Sequence, residues 1–446
     1  MKIKIDKLVF GGQGMGKIDG KAAFVWNALP GEEVEARVLK SKSNFIEAIA
    51  ENIITPSKER IPELESHYLS CSPWQILGAN AEDYWKKEIA RETFFKFGGF
   101  EPFFSLSSRR KPGSFPEIQT KDPVFQRDDN EKKDDNEKRF GYRNKMEYSF
   151  AVNDGKISLA FFERGGRQHT HIDGCILAED CINVVAVQIL EWINKVNIPM
   201  RSLKSLILRS NGQGKTIVAL FIKDHLNFED CPELSEDFLG FHIYYSSYLT
   251  PASIPHEILY TAGQNYLIAD LNGFKLKFGL LSFFQINVPL FSQVLKDIEK
   301  FLDPGAHILD FYSGVGAIGI PLSKKVKSCV CVDNNKEAIE YAVENIALND
   351  LENYEAHLIS AEKITELITS DKIVILDPPR EGLHQKIVER ILETKPAKVI
   401  YLSCNLTTQA RDIKLLLNQY TPVFHQLYNF FPATPHVESL VILSNC

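Results

Sequence analysis

The stretch ILDFYSGVGAIGIPL, residues 308–322, constrains the fold of this chain more than any other. Its apolar start predicts a buried parallel strand that ends in Asp310, and the apolar residues after the glycine loop at 314–319 predict a helix. Glycine lets backbone N–H groups approach a ligand that a Cβ would block. A second predicted strand ends in Asp333, 19 residues after Gly314, where an acid can hold ribose hydroxyls. The pattern favours a nucleoside site over an ordinary strand–turn–helix, and it leaves NAD and S-adenosylmethionine both open.

Predicted strands and helices alternate through the rest of the C-terminal part, which is typical of a doubly wound α/β sheet. Two last strands, at 423–429 and 439–443, are joined by a tight loop and predict an antiparallel hairpin at the sheet edge. In such sheets, ligands bind at the carboxyl ends of the strands. Polar or reactive residues fall at this edge or in the terminal loop: Asp310, Asp333, Asp377, Cys404 and Glu438.

Residues 1–54 contain short β-rich runs separated by glycine and proline turns, which predicts a small β-barrel. Residues 1–60 carry ten Lys and Arg against eight Asp and Glu, whereas the whole chain has a net charge of −7. A small barrel with basic loops is a common platform for single-stranded RNA. A structural or dimerisation barrel is the alternative.

The hydrophobic pattern of residues 55–278 predicts a β-rich α+β domain with helices at 80–95 and 184–196. The charged near-repeat DDNEK predicts a solvated, mobile loop over residues 108–139. Beyond it, Arg143 lies in the motif FGYRN, beside aromatic residues that could stack a base while the arginine grips a phosphate. A strand end with an outward-reaching arginine is the plainer interpretation.

A chain of 446 residues with 44% hydrophobic and 24% charged residues is expected to form two or three soluble domains. No apolar run approaches the roughly 18–20 residues of a membrane span. The eight cysteines follow no disulfide framework, so we expect reduced thiols in a cytoplasm. The negative net charge argues mildly against nucleic-acid binding, but a local basic groove matters more than the total.

Cys404, Asp377 and Glu438 suggest one particular reaction. A thiolate is a strong nucleophile, two prolines after Asp377 hold that carboxylate rigidly, and Glu438 is the candidate general base or acid. With a nucleoside cofactor, this set suits thiolate addition to C6 of uracil, methylation of the activated C5 by S-adenosylmethionine, and removal of the C5 proton. A structural cysteine and a solvated loop carboxylate are the alternatives, and nearby His436 keeps a hydrolase open.

Six short motifs occur together along the chain: FYSGVGAIG (311–319), DPPREG (377–382), SCN (403–405), PHVESL (435–440), FFQIN (283–287) and GYRN (141–144). As a set they resemble the RNA uracil-5 methyltransferase family over nearly the whole length. The N-terminal barrel is similar to the TRAM domain, an RNA-binding module of the members that act on large-subunit ribosomal RNA.

The resemblance implies a multidomain protein. We expect a TRAM- or OB-like barrel at 1–54, a central α+β RNA-binding domain at 55–278, and a Rossmann-like class I methyltransferase domain with a terminal hairpin at 279–446. Part of residues 76–107 is expected to pack on this last domain.

The resemblance also implies S-adenosylmethionine as the cofactor and a role for each matching residue. The residues expected to bind the cofactor are Gln285, Phe311, Tyr312, Gly314, Gly316, Asp333 and Asp377. Those expected to contact RNA or its base are Arg143, Phe284 and Asp377. Cys404 is expected to be the nucleophile and Glu438 the base.

The barrel favours 23S ribosomal RNA as the substrate of a cytoplasmic, monomeric enzyme without membrane contact. Transfer RNA is the alternative substrate for the same chemistry. A non-catalytic RNA-binding or assembly factor is the alternative of another class, and an NAD-dependent oxidoreductase is disfavoured by the terminal hairpin and the Cys/Glu pair.

The chain departs from the family at an iron–sulfur site that many members build from four cysteines. Glu65, Cys71 and Trp74 occupy the first three ligand positions, and Cys175 occupies the fourth. Two thiolates cannot make the usual site, so no cluster and no metal are expected, and Trp74 is expected to fill the space. Two smaller departures are Leu406 for a proline and Asn429 for an aspartate.

Overall fold

The computed structural model describes residues 1–107, 139–166, 168–250 and 252–445. The predicted mobile loop lies outside the described residues except for Arg139, whose side chain is buried. Among the helices of the described ranges, none combines the length and the apolar character needed to cross a membrane.

The N-terminal strands close into a barrel in the order β1-β2-β3-β5-β4, which confirms the predicted small β-barrel. The strands are β1 Lys2–Leu8, β2 Gly14–Ile18, β3 Lys21–Trp26, β4 Glu33–Ser41 and β5 Phe45–Thr55. Sequence analysis missed β2 because its glycines are typical of a loop. The barrel needs them: a Cβ on Gly16 would lie 2.1 Å from the Lys4 carbonyl oxygen, and one on Gly14 would lie 2.6 Å from that of Ala28.

The segment after the barrel runs onto the C-terminal domain. Its elements are α1 Tyr68–Cys71, α2 Ala79–Thr93 and β6 Ser105–Ser107. Strand β6 pairs in parallel with the strand Tyr420–Tyr428 and so extends the C-terminal sheet. On α2, the Lys86 ammonium donates to Glu82 Oε1 at 2.8 Å and to Asn429 Oδ1 at 2.5 Å, all three side chains being buried. The segment is therefore built into the C-terminal domain.

A seven-stranded sheet in the order β13-β12-β11-β10-β7-β8-β9 forms the central domain. Its elements are β7 Lys145–Asn153, β8 Lys156–Phe162, β9 His169–Ile172, α3 Asp180–Lys195, β10 Leu203–Ser210, β11 Thr216–Ile222, β12 Phe238–Tyr245 and β13 Glu257–Gly263. Helix α3 packs its apolar residues on one face of the sheet. On the other face, Ile217 and Phe221 share a core with Phe278 and Leu295 of the C-terminal part, so the two domains meet through a continuous apolar interior.

A hairpin, β14 Tyr266–Leu271 and β15 Phe274–Gly279, precedes an eight-stranded sheet in the order β18-β17-β16-β19-β20-β22-β21-β6. The strands of this sheet are β16 Ala306–Phe311, β17 Val326–Asp333, β18 Tyr354–Leu358, β19 Lys372–Leu376, β20 Lys398–Ser403, β21 Tyr420–Tyr428 and β22 Glu438–Asn445. Its helices are α4 Val288–Glu299, α5 Lys336–Leu348, α6 Gln385–Thr394 and α7 Leu406–Leu416. Strands β16 to β20 are parallel, and β22 and β21 form the predicted antiparallel hairpin.

The prediction of a helix directly after the glycine loop is wrong. The chain makes turns there and then only a short 3₁₀ segment, Ile320–Leu322. Pro321 removes one backbone donor from the segment, and Gly316 has a φ of 83°, outside the helical region. The loop therefore leads through turns, rather than through a helix, to β17.

Candidate active site

Three carboxylates predicted from the sequence meet at the carboxyl edge of the eight-stranded sheet. Asp310 lies in β16, Asp333 ends β17 and Asp377 follows β19 directly. Because β17, β16 and β19 are parallel neighbours, the three side chains lie on adjacent strand ends. Burial, together with the charges of Asp377 and Asp333, raises the pKa of Asp310 to about 8, although the hydrogen bond from the Gly319 backbone N–H opposes this shift.

Asp333 is tied to the glycine loop. The backbone N–H of Gly314 donates to Asp333 Oδ2 at 2.9 Å, and that of Asn335 donates to Oδ1 at 2.8 Å. Tyr312 and Gly314 have φ angles of 63° and 55°, so the backbone reverses sharply after β16. A Cβ on Gly314 would meet nothing within 4 Å in the described chain. The loop therefore leaves its backbone accessible beside a carboxylate, an arrangement that suits a ribose.

Gln285 and Asp377 form the next part of the edge. The Gln285 Nε2 atom donates to Asp377 Oδ2 at 3.5 Å, and the Gln285 carbonyl oxygen accepts from Asn144 Nδ2 at 2.9 Å. Burial, together with the charge of Asp333, raises the pKa of Asp377 to about 7. A carboxyl group that titrates near neutrality beside a primary amide can both donate and accept hydrogen bonds, as the edge of a uracil ring requires.

Cys404 and Glu438 lie at neighbouring strand ends. Strands β20 and β22 are antiparallel with Ser403 opposite Ser439, so Cys404 directly follows the end of β20 where Glu438 begins β22. Asn405 then accepts from the backbone N–H of Thr407 and caps α7, so Cys404 is held between a strand end and a helix start. The strand pairing brings the predicted nucleophile and the predicted base to the same edge of the sheet.

Burial and neighbouring charges change the ionisation of both groups, and the charge of Glu438 acts on Cys404. Burial, then the charges of Glu438 and Asp377, raise the pKa of Cys404 to about 11. Burial, then the charge of Asp377, raise the pKa of Glu438 to about 8. The Arg380 guanidinium opposes both shifts, and it also hydrogen-bonds the thiol. Sequence analysis gave Arg380 no role, although it directly follows Asp377 and two prolines.

His436, the alternative base, is neutral near pH 7. Burial, with the positive charges of Arg380 and Lys86, lowers the pKa of His436 to about 4. A general base is most effective when its pKa lies near the operating pH. Glu438 meets this condition and His436 does not.

A cavity of about 260 Å³ opens onto Cys404 between the N-terminal barrel and the C-terminal domain. Its lining includes Phe10, Lys86, Arg380 and Asn405. A second cavity of about 440 Å³ is lined by the cationic side chains Arg143, Lys145 and Arg164. Gly11, Pro435 and His436 line both cavities, so the two are adjacent, and we refer to them together as the groove.

Two predicted aromatic residues are buried. Phe284 is 2% exposed and stacks on Phe278 at a centroid distance of 4.1 Å, so its ring belongs to the core. Its neighbour Phe283 is 64% exposed and is the accessible aromatic ring of the pair. The Phe311 ring is fully buried, and only the backbone of that residue lies at the strand end. Tyr312 is half-buried, and burial raises its pKa to about 12.

Cys71 and Cys175 come together with Glu65, which sequence analysis placed at this site, and with His67, which it missed. Glu65 and His67 place ligand atoms within 4.8 Å of each other and of both thiols. Trp74, expected to fill the space of a cluster, instead donates from its ring nitrogen to the Gly12 carbonyl oxygen at 2.9 Å and packs on the barrel. The residues present do not fit a four-cysteine cluster, because only two thiols contribute.

Comparison with known proteins gives consistent matches. A family model described as tRNA (Uracil-5-)-methyltransferase matches residues 125–446, and a TRAM domain model matches residues 1–50. An uncharacterized RNA methyltransferase of Fusobacterium nucleatum subsp. nucleatum is 27% identical over 99% of this chain and 95% of that protein. Another, of Aquifex aeolicus, is 27% identical over 99% of this chain and 98% of that protein.

One solved structure has a similar fold along the whole chain. It is the crystal structure of Pyrococcus abyssi tRNA (uracil-54, C5)-methyltransferase in complex with S-adenosyl-L-homocysteine. The TM-score is 0.76 at 24% identity, and the match covers 99% of this chain and 100% of that chain. The similarity includes the N-terminal barrel, the central sheet and the C-terminal sheet.

Proposed function

Because this chain belongs to the tRNA (uracil-5-)-methyltransferase family, we propose that it methylates C5 of a specific uridine in RNA through a covalent adduct between Cys404 and uracil C6. The observation that carries the proposal is the pairing of Ser403 with Ser439, which places Cys404 and Glu438 at neighbouring strand ends, on the edge that also holds the glycine loop. Nucleophile, base and cofactor loop then converge on one substrate ring.

Family membership confirms the predictions of an RNA uracil-5 methyltransferase, of a TRAM domain and of S-adenosylmethionine as the cofactor. It rejects the alternatives of an NAD-dependent oxidoreductase and of a non-catalytic assembly factor. The monomeric state and the cytoplasmic location stay predictions.

The described residues fit the cofactor. Two buried polar atoms near the glycine loop, Asp310 Oδ1 and Ser313 Oγ, have no hydrogen-bond partner within the described residues, and Asp333 lies beside the open backbone of Gly314. These residues would hold the nucleoside and amino-acid parts of the cofactor. When bound, S-adenosylmethionine supplies an electrophilic methyl group.

Catalysis starts at Cys404. The Cys404 thiol loses its proton to solvent, its thiolate adds to uracil C6, and the electron pair of the C5–C6 double bond becomes an enolate over C5, C4 and O4. Arg380 favours the thiolate, because its guanidinium hydrogen-bonds the sulfur and lowers the thiol pKa. Gln285 and Asp377 lie where they can bind the polar edge of the uracil ring. The nucleophilic C5 then takes the methyl group.

Glu438 completes the reaction. After methylation, C5 carries both the new methyl group and the original hydrogen. The Glu438 carboxylate accepts that proton, the C5–C6 double bond reforms, and the bond between C6 and sulfur breaks to release the Cys404 thiolate. With a pKa of about 8, a fraction of Glu438 is ionised near neutral pH, and this fraction grows as the pH rises. The ionised form accepts the proton and later returns it to solvent.

RNA reaches the thiol along the groove between the barrel and the central domain. The basic wall formed by Arg143, Lys145 and Arg164 suits a phosphate backbone. The Arg164 guanidinium also stacks on the Trp26 ring at 4.0 Å, so barrel and central domain meet at this wall. The exposed ring of Phe283 is available to stack a flanking base.

We propose 23S ribosomal RNA as the substrate, because the TRAM barrel forms one side of the groove and provides an extra contact surface for a long RNA. Transfer RNA is the second candidate. It is favoured by one observation: the Pyrococcus abyssi tRNA (uracil-54, C5)-methyltransferase matches this chain over its full length, barrel included.

The test uses the purified chain with methyl-labelled S-adenosylmethionine and two RNAs made by transcription, 23S ribosomal RNA and a tRNA pool. We expect label to appear as 5-methyluridine in 23S ribosomal RNA at one or a few positions. Label only in tRNA would transfer the proposal to the second substrate. Methylation of another atom or base would contradict the proposed reaction, and Cys404→Ala protein is the control for background label.

A further inference from the structure

We propose that four side chains from two distant segments form a binding site for one divalent transition-metal ion. They are Glu65, His67, Cys71 and Cys175. The donor set consists of two sulfur atoms, one imidazole nitrogen and one carboxylate oxygen. Such a mixed set of four ligands is characteristic of zinc.

The spacing of the donors suits a small tetrahedral ion. His67 Nε2 lies 3.3 Å from Glu65 Oε2, the Cys71 sulfur lies 4.0 Å from the same oxygen, and no pair of the four exceeds 4.8 Å. Tetrahedral zinc with bonds of about 2.0–2.3 Å separates its ligand atoms by about 3.3–3.8 Å. Side-chain movements of about 1 Å or less would close the shell.

Burial provides a second, independent indication of a ligand. The His67 side chain is 7% exposed, and its Nε2 atom faces Glu65 Oε2 at 3.3 Å without meeting hydrogen-bond geometry to any described residue. Cys175 is 1% exposed. A buried imidazole nitrogen that makes no hydrogen bond costs free energy, and coordination of a metal ion between the imidazole and the carboxylate would satisfy it.

Surrounding hydrogen bonds fix the ligands in place. Glu65 Oε1 accepts from the Ile176 backbone N–H at 2.6 Å, which leaves Oε2 for the ion. The Asn183 side chain holds the backbone of Cys175 on both sides, accepting from its N–H and donating to its carbonyl oxygen at 3.1 Å each. Metal ligands in proteins are usually oriented by such outer contacts.

The site lies beside the basic part of the groove. Cys71 lines the same cavity as Arg143 and Arg164. A bound ion would link the segment before α2 to the turn that follows β9. It would therefore make the basic wall of the groove more rigid.

The test is the metal content of the full chain purified under reducing conditions and then loaded with zinc and dialysed. We expect about one zinc per chain. Cobalt should replace zinc and give the thiolate-to-cobalt absorption and visible bands of a tetrahedral site. Both thiols should react slowly with a thiol reagent in the loaded protein and quickly after chelation.

Cys71→Ser and Cys175→Ser should each weaken zinc binding by about ten- to a hundred-fold or more. Cys231→Ser is the matched control, because that cysteine lies outside the four-residue cluster, and it should keep full zinc content. Circular dichroism of each variant shows whether it folds, and His67→Gln provides a second ligand change that leaves both thiols in place.

Two results would overturn the proposal. One is folded, reduced wild-type protein that binds no zinc, cobalt or ferrous ion after loading. The other is about four irons per chain with visible iron–sulfur absorption. One ferrous ion per chain, lost in the cysteine and histidine variants, would support the site and change the identity of its metal.

Discussion

Pro435, three residues before Glu438, lies directly against Gly12 of the N-terminal barrel. A Cβ on Gly12 would come within 2.6 Å of Pro435 Cβ and within 3.3 Å of the Trp74 ring nitrogen. The TRAM barrel therefore contacts the loop that leads to Glu438, the proposed catalytic base. Gly12 and Pro435 are more than 400 positions apart in the sequence, and the fold brings them together.

Gly12→Ala should push the barrel loop away from Pro435 and lower kcat/KM on RNA by about ten- to a hundred-fold. Gly31→Ala, in another turn of the barrel, is a matched control: its φ is 84° against 98° for Gly12, so both variants carry similar backbone strain, but a Cβ on Gly31 would meet nothing within 4 Å in the described chain. Equal losses in the two variants would show that strain, and not the Pro435 contact, is responsible. Affinity for S-adenosylmethionine, measured by calorimetry, should stay unchanged in both.

Lys86→Met should destabilise the protein by about 3–5 kcal/mol, because it removes one cation from a fully buried network. Lys86 donates to Glu82 and Asn429, and after its loss only Arg139 remains to balance the Glu82 carboxylate. Lys87→Met on the same helix is the control and should cost about 0.5 kcal/mol or less. Urea unfolding measures both, and similar values for the two variants would contradict this account of the network.

The reactivity of Cys404 toward an alkylating reagent should depend on pH and on two neighbours of opposite charge. At pH 9 Glu438 is ionised, since its pKa is about 8, and its charge contributes to the high pKa of the thiol. Glu438→Gln removes that charge, so the thiol pKa falls and alkylation becomes faster. Arg380→Gln removes a group that lowers the thiol pKa, so alkylation becomes slower.

Mass spectrometry of the peptide that contains Cys404 measures the alkylation rate of this thiol separately from that of the other cysteines. In the wild-type protein the rate should keep rising with pH toward the thiol pKa of about 11. Changes of the same sign in the two variants would contradict the opposing electrostatic roles of Glu438 and Arg380.

Arg164→Gln should weaken RNA binding and reduce the slope of log affinity against log salt by about one unit if the side chain contacts one phosphate. Arg164 lines the larger cavity and stacks on Trp26, where the barrel meets the central domain. Lys195→Gln, at an exposed site on α3 paired with Asp230, should leave the slope unchanged. Filter binding at several salt concentrations gives the slopes, and equal slopes for wild type and Arg164→Gln would remove this residue from the RNA path.

The order of strands and helices in the C-terminal part, and the residues at the strand ends, could be predicted from the sequence. Apolar runs that end in Asp310, Asp333 and Asp377 mark one edge of a parallel sheet, whatever the distances along the chain. Strand β2 could not be predicted, because Gly14 and Gly16 are required by close backbone contacts inside the barrel.

Contacts between segments that are distant in the sequence could not be predicted either. His67 meets Cys175 only after the segment before α2 packs on the central domain, and no spacing pattern links the two. Asn429, noted only as a departure from the family, bonds Lys86 and Glu82 across more than 340 positions. Burial, which decided that Phe284 is a core residue and Phe283 is exposed, follows from the packed hairpin rather than from the motif.

The most direct test of the proposed mechanism compares Cys404→Ala with Glu438→Gln. Each variant is incubated with labelled substrate RNA and S-adenosylmethionine and then run on a denaturing gel. Glu438→Gln should accumulate a methylated protein–RNA adduct, because the thiolate can add and C5 can be methylated while the C5 proton stays in place. Cys404→Ala should form neither adduct nor product. Near wild-type turnover of Glu438→Gln without an adduct, or methylation of uridine by Cys404→Ala, would contradict the account.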